Sequence, residues 1–218
     1  ADGTSWGVPV TVDADSISTS SSLKMVNGRP AVAYSVNADG GALRFARASD
    51  ADGGTWGAPT AVNTGGSLGR WPSLEVINGQ PAISYRDGQA DDLKFARATD
   101  ADGTTWDIPV SVDGVDNVGE YSSLAIVGGH PAISYYDKEN DDLKYVQAAD
   151  ANGNSWGAPV TLDSEGNVGQ WTTLAVVNGR AAISYYDSTN QNVKYVRLPE
   201  LRWQADDGTV APLTAAAV

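Results

Sequence analysis

Three aromatic residues, Trp71, Tyr121 and Trp171, stand 50 residues apart, and each follows a different polar residue: Arg70, Glu120 and Gln170. An aromatic face beside carboxylate, amide or guanidinium groups suits a sugar ring. The apolar side of the sugar stacks on the aromatic while its hydroxyls bond the polar groups. A second set recurs in the stretches that read YYDxxN: Asp87, Tyr136 with Asp137, and Tyr186 with Asp187. Together these eleven residues are the expected ligand-binding set. The Arg, Glu and Gln variation lies where loops vary on a constant scaffold.

Other chemistry has less to stand on. Asp50 with Asp52, and Asp100 with Asp102, open D-A-D-G strings that could offer oxygens to calcium. No late bidentate glutamate follows at the spacing a full calcium loop needs. Nothing else in the chain requires a cofactor. His130 is the single histidine, so a Ser/His/Asp triad has no support. The carboxylate pairs Asp91–Asp92 and Asp141–Asp142 could in principle cleave glycosidic bonds, but adjacent aspartates in a turn read first as caps. The expectation is therefore a non-enzymatic, lectin-like module for carbohydrate. A structural or assembly protein built by strand exchange through the termini is the second reading, and a glycan-processing hydrolase the third.

The elements that must position these residues follow from the repeat. Trp6, Trp56, Trp106 and Trp156 are also 50 residues apart, as are Tyr85, Tyr135 and Tyr185. A period of this size signals an array, a solenoid or a propeller. Each unit holds four short segments rich in Val, Ile, Tyr, Trp and Thr, which suit strands. They are SLxVV, PAISYYD, DLKYV and WGxPV, and no apolar helical stripe interrupts them. Asn-Gly at 27–28, 78–79 and 178–179, and Gly128-Gly129, join the first two segments as tight hairpins. The expected fold is all-β: a four-bladed β-propeller of four 50-residue, four-stranded repeats. SLxVV is innermost and WGxPV outermost, with Trp6–Val12 closing the last blade. Residues 1–200 form that single domain. Residues 201–218 are a tail, either a decayed outer strand or an assembly segment.

The strings SDADGGTW (Ser49–Trp56), TDADGTTW (Thr99–Trp106) and ADANGNSW (Ala149–Trp156) join the units. They resemble the Asp-box of sialidases and related repeat proteins, roughly Ser-x-Asp-x-Gly-x-Thr-Trp. The Gly, the Thr and the Trp match in the first two, while Ala51 holds the expected Asp place between Asp50 and Asp52. The resemblance implies a structural hairpin between the third and outermost strands. It does not imply sialidase activity, because Arg47, Arg97 and Arg197 recur at one scaffold position.

Composition narrows the partners. The net charge of −13 repels phosphate backbones and anionic membrane surfaces, and no apolar run nears 18 residues, so neither nucleic acid nor membrane insertion is expected. No cysteine is present, which removes disulfides and thiolate chemistry. A secreted or cell-surface location with a glycan partner is expected, with homo-oligomers through the spare terminal strand. Unit one departs from the pattern at DSISTSSSL and SVNADGGAL, so a repeated site should number three at most.

Overall fold

A computed structural model describes residues 6–14, 20–36, 42–63, 69–199, 202–204 and 210–212, the last two segments by backbone alone. Residues 15–19 and 37–41, where the sequence of unit one departs from the repeat, lie outside these, as do the side chains of the tail. Four antiparallel sheets follow one another in chain order. Blade 1 holds β1 (Ser21–Val26), β2 (Arg29–Val36), β3 (Ala42–Arg47) and β4 (Thr60–Asn63). Blade 2 holds β5 (Gly69–Ile77), β6 (Gln80–Asp87), β7 (Asp92–Arg97) and β8 (Val110–Asp113). Blade 3 holds β9 (Val118–Val127), β10 (His130–Asp137), β11 (Asp142–Gln147) and β12 (Val160–Asp163). Blade 4 holds β13 (Val168–Val177), β14 (Arg180–Asp187) and β15 (Asn192–Arg197). A separate hairpin pairs β16 (Arg202–Gln204) with β17 (Val210–Pro212).

The expected strand order holds in blades 1 to 3, and all four blades are β-propeller sheets. The hairpin turns form as their residues dictate. Asn78 and Gly79 have φ of 51° and 78°, and Gly128 and Gly129 have 57° and 83°. Both central residues of a type I′ turn need positive φ, which Asn and Gly tolerate.

Blades pack face to face through repeated contacts. β1 packs on β5, β5 on β9 and β9 on β13. Between inner strands, the backbone N–H groups of Leu74, Leu124 and Leu174 donate to Ser22, Ser73 and Ser123 Oγ, each at 2.9 Å. Apolar clusters fill each boundary. Leu43 and Phe45 of blade 1 meet Leu74, Ile83 and Tyr85 of blade 2. Leu93 and Phe95 meet Leu124, Ile133 and Tyr135 in the same way. Trp106 caps the first cluster edge-on to Phe45 at 5.3 Å, and Trp156 caps the second over Phe95 at 5.2 Å.

Closure differs from expectation. Among the described residues blade 4 has three strands, and no outer strand lies on β15. Trp6–Val12 is not paired there. Trp6 and Val8 are exposed, while Val12 and Asp13 pack against blade 1. The cause is geometric: four blades pack around an arc that does not bring blade 4 against blade 1, so β13 has no packing on β1 comparable to the three internal boundaries.

Candidate functional site

Among the described residues, the stretches before β9 and β13 meet the turns that follow β6, β10 and β14: the Val118 and Val168 amides donate to the Asp91 and Asp141 carbonyls, and the Lys138 and Ser188 amides donate to the Asn117 and Asn167 carbonyls. There the inner strands carry Trp71, Tyr121 and Trp171 at positions with φ of 48°, 54° and 48°. This left-handed backbone costs an L-residue roughly 1–2 kcal/mol, so the surrounding bulge must hold it. Register shifts at Arg70/Ser73 and Gln170/Thr173 mark that bulge. The result is a continuous ladder. Trp71 lies 5.1 Å from Tyr121, and Tyr121 lies 5.0 Å from Trp171, centroid to centroid. Tyr136 and Tyr186 flank it at 6.2 Å from Tyr121 and 5.6 Å from Trp171. Trp71 and Tyr121 are half-buried and Trp171 is exposed. These aromatics pack on one another across blades and still present an accessible edge.

Carboxylates stand beside the ladder at the blade boundaries. Glu120 is buried next to Tyr121, and one of its oxygens accepts from Lys138 Nζ at 3.0 Å. Burial first, then the Glu120 charge, pushes the Tyr121 phenol up. Tyr136 Oη donates to Asp141 and lies 3.1 Å from Asn167 Oδ1. Burial and then the Asp141 bond raise Tyr136 to about 12. Asn167 Nδ2 donates to Asp141 at 2.7 Å, and Gln170 Nε2 donates to Asn167 Oδ1 at 2.9 Å. In blade 2 the Tyr136 position is Arg86, which pairs with Asp91 and donates to Asn117 at 2.8 Å. One boundary is thus a neutral phenol–amide network around Asp141. The other is a charged one around Arg86.

Asp87, Asp137 and Asp187 do something other than expected. Asp137 Oδ1 takes the amides of Glu139 and Asn140, and its Oδ2 takes Asn140 Nδ2 and Lys144 Nζ at 3.0 and 2.7 Å. Asp187 and Asp87 repeat this role with Lys194 and Lys94. All three are buried turn anchors with no free face toward the ladder. Asp113 and Asp163 extend the anchor across blades, accepting from Tyr135 and Tyr185 Oη at 2.6 and 2.7 Å. Sequence reasoning missed Lys94, Lys144 and Lys194 in this role. Their own 50-residue spacing, seven residues after each aspartate, was the available signal. Arg70 lies at the end of the ladder, with no ion pair among the described residues.

The calcium expectation finds no donor set. Asp50 Oδ1 accepts the amides of Asp52 and Gly54, and Oδ2 accepts the Thr55 amide and hydroxyl. The Thr55 hydroxyl and then the turn amides hold Asp50 at about 2. Asp100 is spent in the same way on Asp102, Thr104 and Thr105. Asp102 pairs with Arg47 at 3.2 Å, and Asp52 is exposed. No three acidic or histidine side chains gather as a metal site among the described residues. The strings behave as structural turns, with Trp56, Trp106 and Trp156 Nε1 donating to the carbonyls of Gly53, Gly103 and Gly153. His130 is likewise structural, bonded at 3.0 Å to the Ala148 carbonyl.

The architecture so defined is that of a β-propeller. No protein-family model matches the chain, and no curated protein matches it. Solved structures do. An exo-β-1,3-galactanase from Phanerochaete chrysosporium, solved with β-1,3-galactotriose, superposes with a TM-score of 0.59 at 12% identity, over 91% of this chain and 49% of that one. The catalytic domain of the Coprinopsis cinerea GH62 α-L-arabinofuranosidase gives 0.58 at 14%, over 90% and 67%. An endo-arabinase from Bacteroides thetaiotaomicron gives 0.54 at 18%, over 81% and 72%. The chain spans about half the length of the galactanase. At these identities the likeness shows the fold, which in these proteins is a five-bladed β-propeller of glycoside hydrolases. It also corrects the expectation of a non-enzymatic lectin-like or assembly module. That expectation treated the lack of a local catalytic motif as a lack of chemistry, yet this architecture carries glycosidases.

Proposed function

We propose that this chain is a glycan-processing hydrolase whose sugar-binding surface is the axial ladder. The observation that carries the proposal is the continuous run of tilted rings Trp71–Tyr121–Trp171, with interplanar angles of 55° and 40°, and the buried carboxylate Glu120 beside its central ring. Aromatic rings in a row accept sugar rings along their exposed surface, and the burial of Glu120 strengthens a polar contact made to it. Glycoside hydrolysis needs two carboxylates flanking the scissile bond. Glu120, paired with Lys138, serves as base or nucleophile. Asp91 and Asp141, on either side of it in the repeat, are the candidates for the second group. The substrate is a neutral glycan polymer met outside the cell.

The test is hydrolysis of a panel of galactans, arabinans and xylans, read as reducing ends released. Turnover by the native chain that drops about 10²–10⁴-fold in Glu120→Gln supports the proposal, since that is the range one acid–base group supplies. Turnover unaffected by that change, or none on any glycan, refutes it.

A further inference from the structure

Among the described residues the arc of blades is open, and its two ends are the two halves of a boundary already used three times inside it. Three positions form the face each blade turns to its successor. They are Val26, Ile77 and Val127; Leu43, Leu93 and Leu143; and Phe45, Phe95 and Tyr145, none more than 6% exposed. The same positions in blade 4 are Val177, Val193 and Tyr195, exposed by 38%, 78% and 61%. The face turned to the preceding blade is led by Leu74, Leu124 and Leu174, at 1%, 4% and 6%. Its blade 1 counterpart, Leu23, is 66% exposed. Apolar side chains placed for packing and left in water mark a missing neighbour. The occupant must offer one kind of face to blade 4 and the other kind to blade 1, as one further blade would.

The structure also says which segment belongs to that blade. Asp13 accepts from Tyr34 Oη at 2.7 Å and from Arg44 at 2.9 Å. Asp113 and Asp163 hold Tyr135 with Lys144, and Tyr185 with Lys194, in the same way. Each of those aspartates ends the outer strand of the preceding blade. Asp13 therefore places Trp6–Val12 at the outer-strand position of a blade before blade 1. At the other end, Leu198 packs on the boundary between blades 3 and 4, and the chain continues into the two-stranded hairpin β16–β17.

We propose that β16, β17 and the segment Trp6–Val12 together form a fifth blade that fills the opening. The hairpin supplies the inner strands and the N-terminal segment the outer one. A second copy of the chain fits less well. The two open faces differ, so copies would join head to tail, and each would leave an unsatisfied face at its ends unless their rotation closed a ring.

The chain has no cysteine, so introduced pairs report cleanly. Val10→Cys is combined in turn with Val210→Cys, Ala211→Cys and Pro212→Cys, and separately with Tyr195→Cys. Oxidation is followed by mass spectrometry, and the native chain is weighed in solution at high concentration. A disulfide within one chain in at least one of the first three pairs, with the native protein monomeric, is the expected result. Three outcomes overturn the proposal. One is a Val10→Cys/Tyr195→Cys bond, which reports four-blade closure in the register of Phe45 with Thr60 and Tyr145 with Val160. Another is bonding between chains with a mass above the monomer. The third is no bond in any of the first three pairs.

Discussion

Tyr135→Phe removes one oxygen from the boundary between blades 2 and 3 and leaves its packing intact. The ring is fully buried, and its hydroxyl donates to Asp113 Oδ2 at 2.6 Å. A hydrogen bond to a charged group contributes about 1.5–3 kcal/mol. Asp113 keeps Lys144 at 3.7 Å, so the carboxylate is not stranded and the cost falls near the middle, about 2 kcal/mol. Unfolding in urea should show this as a lower midpoint at unchanged slope. In calorimetry it is a drop of about 4–8 °C for a chain of this size. The repeat provides an internal control. Tyr85 is equally buried, but its hydroxyl meets Asn63 Nδ2 at 3.2 Å, a neutral and longer bond. Tyr85→Phe should cost only about 1 kcal/mol. If the two variants lose equal stability, or Tyr85→Phe loses more, the claim that Asp113 clamps neighbouring blades through Tyr135 fails.

Other perturbations probe the turns and the ladder. Gly103→Ala places a Cβ 2.5 Å from the Phe45 ring at φ +73°, whereas Gly79→Ala at φ +78° meets open space. The first should cost about 2–4 kcal/mol and the second about 1 kcal/mol in thermal unfolding, because only the first adds overpacking to backbone strain. Asp150 moves from 3.8 to about 2; its slight burial is outweighed by the Asn152 amide, the Ser155 hydroxyl and further turn donors. A folded pKa below the unfolded one gives stability that is present above about pH 4 and lost as pH falls toward 2. Asp150→Asn should therefore flatten the stability profile in that window, and an unchanged slope in acid denaturation would count against the turn assignment. Trp171→Ala should raise KM for a cleaved oligosaccharide more than it lowers kcat, since it removes a stacking surface and no reacting group.

The repeat made most of the fold legible. Strand order, the Asn-Gly hairpins and the turns ending in Trp56, Trp106 and Trp156 all follow from residues recurring at fixed spacing. Closure did not follow, because the number of repeats does not encode the angle between blades. Four units could make a ring or, as here, an arc with Val193 and Tyr195 left open. The aromatic half of the candidate site was legible, since Trp71, Tyr121 and Trp171 recur at one position of the repeat beside changing polar residues. The aspartate half was not. Asp137 in YYDxxN looks free for a ligand until Lys144, seven residues on and across a tight turn, is seen to bury its charge. The proposed catalytic role was obscured for a related reason. Its candidate carboxylates Asp91, Glu120 and Asp141 belong to different strands and loops, so no local motif announces them.

The most direct test is a crystal structure of Glu120→Gln with an oligosaccharide that the native chain cleaves. The account predicts sugar rings stacked along Trp71, Tyr121 and Trp171, with a glycosidic linkage beside residue 120. An oligosaccharide seated away from that ladder, or one whose linkages all lie far from residue 120, would contradict it.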